Sequence, residues 1–425
     1  MISFRRATWN DREALLELIE KGFTVLEKEV SSIEGEEHRI LFSYLYHRST
    51  WRPEWLWVAE EERQLRAAAG YFPQTLTLEE VELPVAAISP VVSDPQFRGR
   101  GLAKKCLYQL MEDLKAQGVP LVFLWGLPFY YPKLGFVPLL PRYKTKITIN
   151  ELNRSLTKAA GRFRECKSAD LSIIADLYQC QRQKYWLQPG RSLEWWRERF
   201  TEFDIELAYI QEVPFPKKEN FLVWENTSGE VSGYLNYSSE YFNYIFHPEG
   251  KKVVINEAVS INQENAEMML KSFASLINQE QILYIRGTPE HPLNAAAYRM
   301  GGIHFDPAPL AGMVKVVDWR LLFKLLAPLL QQRRSKAKSI TQPIHCTWMV
   351  DNCLIQMIDQ GDLLQIVVDE KQGTADINQN SLLTRVVFGL YHQAELQIFE
   401  PDVAEYLSRV FPQQYPFIWD VNYLY

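Results

Sequence analysis

Residues Val91–Ala103 read VVSDPQFRGRGLA, and this stretch decides the interpretation of the chain. Its apolar start predicts a strand, its centre a loop with two closely spaced glycines, and its end the first turn of a helix. Successive main-chain N–H groups in such a loop, together with the positive end of a helix dipole, favour an anion such as a diphosphate. Gly99 and Gly101 remove side chains where a phosphate must approach the backbone. Arg98 and Arg100 add positive charge that pairs with phosphate oxygens.

Two common phosphate-binding patterns do not fit this loop. A mononucleotide loop requires GxxxxGK followed by Ser or Thr, which is absent here. A dinucleotide loop requires GxGxxG, and Lys104 stands where the third glycine belongs. The simplest alternative is that the glycines only punctuate a turn before a helix.

The pattern that does fit is Arg98-x-x-Gly101-x-Ala103 after an apolar strand. It resembles the acetyl-CoA loop of the GNAT acetyltransferase superfamily, which is written R/Q-x-x-G-x-G/A. The flanking sequence strengthens the resemblance, since an amphipathic helix, the apolar strand Leu121–Trp125 and the segment Gly126–Phe136 (GLPFYYPKLGF) follow in the superfamily's order. The resemblance implies acetyl-CoA as cosubstrate. The implied cofactor-binding residues are Val91, Val92, Ser93, Arg98, Gly99, Arg100, Gly101, Leu102 and Ala103.

Composition describes a globular protein and limits its partners. The chain has 425 residues, of which 47% are hydrophobic, and a net charge of −6. No basic stripe stands out, so we expect no nucleic-acid partner. The seven histidines form no ligand cluster and the five cysteines show no CxxC spacing, so we expect no metal and reduced thiols. The N-terminus lacks the apolar run of a signal peptide and no stretch is long enough to span a membrane, so we expect a soluble, cytoplasmic protein without a membrane partner.

The pattern of elements predicts three domains, at residues 1–150, 151–310 and 311–425. The first reads β-α-β-β-β-α-β-α-β, and a weakly patterned polar break follows at Asn150–Gly161. The second repeats this order and looks like an internal duplication, with one of its strands predicted at Ile205–Glu212 (IELAYIQE). The predicted fold class is therefore α+β, with tandem mixed sheets flanked by helices and a further α/β domain.

The second copy lacks the features of the loop. After the strand VVINEAVS it has INQENAEMML, with no glycine or arginine, and Glu264 and Glu267 would face an incoming phosphate. Aligning Met300–Gly302 with Leu134–Phe136 puts Ala297 opposite Tyr131. We therefore expect the second copy to be structural.

The whole chain resembles the enhanced intracellular survival family of acetyltransferases. That family combines an active GNAT unit, a degenerate one and a sterol-carrier-like C-terminal domain, which the segment LLTRVVFG and its closing helix resemble weakly. The specific parts are FRGRGLA, YYPKLGF and the segment Glu290–Asn294 (EHPLN). The resemblance implies a homohexamer and acceptors such as aminoglycosides or lysine amines.

The resemblance also implies roles for two tyrosines. Tyr131 would donate a proton to the departing thiolate, with Tyr130 as the alternative if the turn is shifted by one residue. The terminal carboxylate of Tyr425 would accept the amine's proton. The alternatives are that the tyrosines are core aromatics and that the aromatic tail packs only for stability. The strand ending at Val91–Ser93 would diverge from Leu121–Trp125, so that its free backbone groups pair with the pantetheine arm.

The sequence thus favours an acetyl-CoA-dependent N-acetyltransferase that acts on a primary amine of an aminoglycoside, a polyamine or a lysine. The rival function is a non-catalytic protein, either a CoA-responsive binder or a lipid carrier that uses the third domain. The intact first loop beside a degraded second copy favours the enzyme.

Overall fold

The strands of the first unit follow the predicted order, but its helices differ, because two helices lie between the first and second strands and only a short helical turn precedes the last strand. The structure is a computed structural model that describes residues 2–30, 35–48, 50–202, 220–239, 252–278, 281–305, 312–336, 343–350, 353–361, 363–370 and 377–416. The elements of the first unit are β1 Ser3–Arg6, α1 Arg12–Val30, α2 Gly35–His47, β2 Leu56–Glu61, β3 Gln64–Leu78, β4 Val81–Ser93, α3 Leu102–Ala116, β5 Leu121–Trp125 and β6 Val137–Leu140.

The elements of the second unit follow in nearly the same order. They are β7 Lys144–Thr148, α4 Ile149–Arg154, β8 Arg162–Glu165, α5 Leu171–Arg182, β9 Gln188–Pro189, α6 Leu193–Glu202, β10 Phe221–Glu225, β11 Val231–Ser239, β12 Lys252–Ser260, α7 Gln263–Ala274, β13 Ile282–Arg286, α8 Pro292–Arg299 and β14 Ile303–Phe305. The strand predicted at Ile205–Glu212 lies outside the described residues.

The remaining elements close the first sheet and build the third unit. They are β15 Gly312–Val316, α9 Trp319–Lys336, β16 Ile344–Val350, β17 Cys353–Asp359, β18 Leu364–Glu370, α10 Ile377–Val387 and α11 Pro401–Val410. The third unit shares one hydrophobic core with α1, α2 and one face of the first sheet. The opposite face of that sheet packs on α3. Because both faces are covered, β3 and β4 are apolar along most of their length.

The two large sheets have equivalent strand orders, and both contain strands that cross the predicted domain boundaries. The first runs β1-β2-β3-β4-β5-β15-β6, with β9 paired to β3, and the second runs β8-β10-β11-β12-β13-β7-β14. Thus β7 leaves the first unit to lie between β13 and β14, while β15 returns to lie between β5 and β6. Sheet membership therefore departs from the predicted domain boundaries at β7, β9 and β15. The α+β class with mixed sheets flanked by helices is confirmed.

A side-chain cluster is repeated in the two units, as a duplication predicts. Arg5 donates to both carboxylate oxygens of Asp11 at 2.8 Å and to Glu60 at 2.7 Å. In the second unit Arg164 donates to Asp170 at 2.7 and 2.9 Å and to Glu225. These arginines hold the pKa of Asp11 down to about 2 and lower that of Asp170 in the same way.

Part of the polar stretch Asn150–Gly161, which was predicted as a break between the first two domains, is helical. Ile149–Arg154 forms α4, because Thr148 and Glu151 make a reciprocal capping box with hydrogen bonds of 2.8 and 3.2 Å. No helix in the described part of the chain is both long and apolar enough to cross a membrane.

Candidate active site

The site begins where β4 and β5 separate. Their parallel pairing joins Val85–Ala87 to Leu121–Phe123 and extends no further. Beyond it, β4 continues to Ser93 and remains paired on its other side with β3. The predicted divergence of the two strands is therefore present, and it opens a cleft between the end of β4 and the end of β5.

The loop after β4 is held in shape by its own side chains. Asp94 accepts the N–H of Gln96 at 3.0 Å and pairs with Arg66 at 3.2 Å. The guanidinium of Arg66 lies 4.1 Å from the centre of the Phe97 ring, and that of Arg100 lies 4.6 Å from it. Phe97 therefore holds two cations at the loop.

Gly99 and Gly101 are required by backbone conformation. Their φ angles are +79° and +71°, and a Cβ at either position would meet nothing within 4 Å. Gly101 precedes the first turn of α3 and supplies no side-chain cap. Among the described residues, no acceptor is paired with the N–H groups of residues 99–104. Exposed donors in front of open space at a helix N-terminus are the arrangement that binds an anion.

The predicted site residues differ in what they expose. Val92, Leu102 and Ala103 are buried, so only their main chains are available to a ligand. Val91 and Ser93 are half-buried at the edge of the cleft. Arg100 is exposed and its guanidinium lies over the ring of Phe97.

The side chain of Arg98 points away from the loop towards α1. Its Nη2 donates to the carbonyl oxygen of Gly22 at 2.6 Å. A Cβ at Gly22 would lie 2.1 Å from Cγ2 of Val92, so α1 touches the end of β4 through a glycine. Sequence reasoning missed Gly22, although a glycine inside an amphipathic helix costs about 1 kcal/mol and therefore signals a close approach.

Tyr131 begins the short helical turn Tyr131–Leu134 that follows β5. Its ring is half-buried, with the ring centres of Tyr130 and Phe136 at 5.1 and 5.6 Å. A Cβ at Gly126 would lie 2.2 Å from this ring, so that glycine makes room for it. Burial raises the pKa of the neighbouring Tyr130 phenol, and the nearby Tyr108 adds to the effect.

The second unit has closed the equivalent helix terminus. Asn262 caps α7 by accepting the N–H of Asn265 at 2.8 Å, and Glu264 adds a negative charge to the first turn. Glu267, expected to face a phosphate, instead pairs with Arg299 at 2.6 Å. No anion is favoured at this terminus.

The second cleft is also filled by protein side chains. The carbonyl of Ala258, on the free end of β12, accepts from Gln181 at 3.2 Å and lies 3.0 Å from Nε2 of His291. The strand registers make Ala258 the equivalent of Val91. Ala297, aligned with Tyr131, is fully buried and carries no chemistry.

Tyr425, the predicted base, lies outside the described residues. Within the described ranges, no group of three or more His, Cys, Asp or Glu side chains is arranged to hold a metal ion.

Comparisons with known proteins agree with this geometry. Residues 3–138 match the model of the acetyltransferase (GNAT) domain family. No curated protein matches the sequence. Among solved structures, a GCN5-related N-acetyltransferase from Anabaena variabilis is 14% identical with a TM-score of 0.68, over 99% of this chain and 100% of that one. A probable N-acyltransferase from Enterococcus faecalis is 15% identical with a TM-score of 0.71, over 99% of both chains.

Eis1 from Mycobacterium abscessus is 13% identical, with a TM-score of 0.62 over 99% of both chains. At these identities the structures show a shared fold along the whole chain. The segment that matches the acetyltransferase domain family includes the end of β4, the loop and Tyr131. The chain therefore contains an acetyltransferase domain of the GNAT type at residues 3–138, and the expectation of an N-acetyltransferase that uses acetyl-CoA is confirmed at that level.

Proposed function

We propose that the chain transfers an acetyl group from acetyl-CoA to a primary amine and belongs to the enhanced intracellular survival family. The observation that carries the proposal is the contrast between the two helix N-termini. The α3 terminus has open N–H groups and two glycines with positive φ, whereas the α7 terminus is capped by Asn262. This contrast supports a diphosphate site at α3 and none at α7.

The residues around the cleft fit coenzyme A. The N–H groups of residues 99–104 would bind the diphosphate, with Arg100 and Lys104 supplying positive charge. The free side of β4 at Val91–Ser93 would pair with the pantetheine arm as an added strand does. The side chain of Arg98 would act through α1 and not on a phosphate, since it holds Gly22.

Acetyl transfer joins the amine nitrogen to the acetyl carbon and breaks the bond from that carbon to sulfur. Tyr131 would give its phenolic proton to the departing sulfur, and a phenol with a pKa of ~10 is matched to that task. Tyr130 is the alternative donor. The terminal carboxylate of Tyr425 would accept the proton released by the amine.

The test is release of free thiol from acetyl-CoA in the presence of polyamines, aminoglycosides and lysine peptides. We expect release with at least one amine class, reduced on the order of 100-fold in Tyr131→Phe. Comparing Tyr130→Phe identifies which tyrosine is the donor. If the wild type released no more thiol than a double variant that carries both Tyr130→Phe and Tyr131→Phe, the proposed activity would be excluded.

A lipid carrier is the second candidate, because one cavity favours it. A space of about 210 Å³ lies between α9 and β18, lined by apolar side chains of both elements together with Arg320, Lys324 and Gln331. Thermal shift distinguishes the two functions. Acetyl-CoA at ~100 times its Kd should stabilise the protein by about 2.7 kcal/mol, and a long-chain fatty acid should not.

The homohexamer and the sterol-carrier-like third unit that the resemblance implies, and the cytoplasmic location expected from the sequence, stay predictions. Sedimentation equilibrium of the full chain checks the assembly.

A further inference from the structure

The α7 terminus is capped by Asn262, so the support that the active site receives from outside the first unit lies elsewhere in the chain. The exchanged strand β15 follows the second unit in the chain but lies between β5 and β6 of the first. β5 and β6 are the two strands that the Tyr131 turn connects. β15, which connects the second unit to the third, therefore lies between the two strands that lead into and out of the turn of the proposed proton donor.

One side chain of β15 holds that turn. Nζ of Lys315 donates to the carbonyl oxygen of Leu134 at 2.7 Å, at the last residue of the turn. Gly135 follows with φ +83°, and a Cβ there would lie 2.9 Å from the same Nζ. The turn is thus fixed at its C-terminal end by an ammonium group, which satisfies a carbonyl that the helical turn leaves unpaired.

The other end of β15 fixes the strand that leads into the turn. Gly312 pairs with Trp125, the last residue of β5, and a Cβ at Gly312 would lie 2.9 Å from the indole. Gly126, which makes room for the Tyr131 ring, is the next residue. β15 therefore contacts the backbone on both sides of Tyr131.

The strand β7, which lies between β13 and β14 as β15 lies between β5 and β6, has no equivalent of Lys315. Lys315 is opposite Val122, four residues before Gly126, and Ile147 of β7 is opposite Leu283, four residues before Gly287. Ile147 is buried and apolar. The polar contact to the turn therefore exists only where the turn carries Tyr131.

We infer that β15, the strand that follows the second unit in the chain, completes the active site of the first unit, and that Lys315 is a positioning residue that acts through Tyr131. The inference rests on the proposed role of Tyr131. It gives the exchanged strand a function in catalysis.

The experiment compares Lys315→Met with Lys146→Met in the full chain. Lys146 is a matched control, because it is a half-buried lysine on β7, the equivalent strand of the second sheet, and its side chain makes no hydrogen bond to a described residue. We expect Lys315→Met to lower kcat about tenfold and to leave the Kd for acetyl-CoA unchanged, because a misplaced proton donor affects transfer and not binding. Lys146→Met should retain wild-type kcat.

A double-mutant cycle separates positioning from general support. In the Tyr131→Phe background, Lys315→Met should have no further effect on kcat, because the group it positions is gone. Equal losses in both backgrounds would overturn the inference. Lys315→Gln, whose side chain is shorter, replaces the methionine variant if that variant folds poorly.

A readout without substrate keeps this inference separate from the proposed activity. Hydrogen exchange of the unliganded protein should accelerate in residues 131–137 of Lys315→Met and remain unchanged in Lys146→Met. Absence of thiol release by the wild type would exclude the proposed function, but it would not change what hydrogen exchange says about the contact between Lys315 and the turn. Unchanged exchange in Lys315→Met would remove the inference itself.

Discussion

At Gly101 an added side chain would strain the backbone and would also stand where we expect a phosphate to bind. At Gly118 it would only strain the backbone, so comparing the two positions separates these effects. Both have φ near +71° to +80° with open space around a Cβ, but Gly118 lies at the opposite end of α3. Alanine at either position should cost stability on the order of 1 kcal/mol from left-handed strain. Only Gly101→Ala should also weaken acetyl-CoA binding, by about tenfold or more, because its methyl group stands in front of the free N–H groups. Calorimetric titration measures the affinity of each variant for acetyl-CoA, and equal affinities of the two variants would exclude the loop as the diphosphate site.

Arg98 and Arg100 lie two residues apart and should behave differently. Arg98 holds Gly22 of α1, whereas Arg100 faces the loop over Phe97. We expect Arg98→Met to accelerate hydrogen exchange in residues 22–30 of the unliganded protein, because the loop no longer holds that end of α1. We expect Arg100→Met to reduce the salt dependence of acetyl-CoA affinity more than Arg98→Met, because a phosphate-facing charge is lost. The reverse pattern would make Arg98 the phosphate ligand.

At the scale of elements, the sequence predicted local structure better than strand partners. The β4–loop–α3–β5 order was predictable because its apolar runs, glycines and helix stop all act locally. The helix α4 was missed although Thr148 and Glu151 carry the capping-box pattern. The exchange of β7 and β15 could not be read from the sequence. KTKIT and GMVKV each indicate a strand, and neither specifies which sheet it joins.

The N-terminus of α8 carries a titratable cap, which makes the second unit sensitive to acid. Nδ1 of His291 accepts the N–H of Leu293 at 3.3 Å, so the ring serves there in its neutral form. Burial lowers the pKa of His291 from 6.5 to about 4. As pH falls, the unfolded chain binds the proton first, and stability is lost between about pH 6.5 and pH 4.

His291→Asn keeps a side-chain cap without the titration. Its melting temperature should therefore fall less steeply than that of the wild type between pH 7 and pH 4.5. Thermal unfolding followed by circular dichroism at several pH values makes the comparison. His304, whose pKa is also lowered by burial, remains in both proteins and cancels. Parallel pH profiles for the two proteins would show that the His291 cap does not titrate in this range.

For the whole molecule, the β3–β4 hairpin is the place where the three units meet. The second unit adds β9 to the edge of β3, and Leu187 donates its N–H to the carbonyl of Thr77 at 2.8 Å. The third unit contributes Arg333 of α9, which donates to Glu79 at the hairpin tip at 2.6 Å. The other end of the same hairpin leads into the cofactor loop, so the long strands connect the site to both other units.

Arg333 tests whether the units unfold together. Its side chain is buried, donates to Glu79 and to the carbonyl of Val410 at 3.0 Å, and lies 4.9 Å from the ring of Trp186. Arg333→Ala leaves a buried carbonyl unpaired and removes packing between units, and we expect a loss on the order of 2 kcal/mol. The control is Arg409→Ala, because Arg409 only pairs with exposed Glu405 one helical turn away, and its loss should stay below about 0.5 kcal/mol.

The readout for Arg333 is the shape of the unfolding transition as well as its midpoint. If the hairpin tip couples the units, Arg333→Ala should broaden or split a transition that is single in the wild type, because three units no longer unfold as one. Differential scanning calorimetry resolves the components, and adding Glu79→Gln should cost little more, since both changes remove one interaction. Additive losses in the double variant, or an undivided transition shifted no more than that of Arg409→Ala, would mean that the units are held together by their shared apolar core alone.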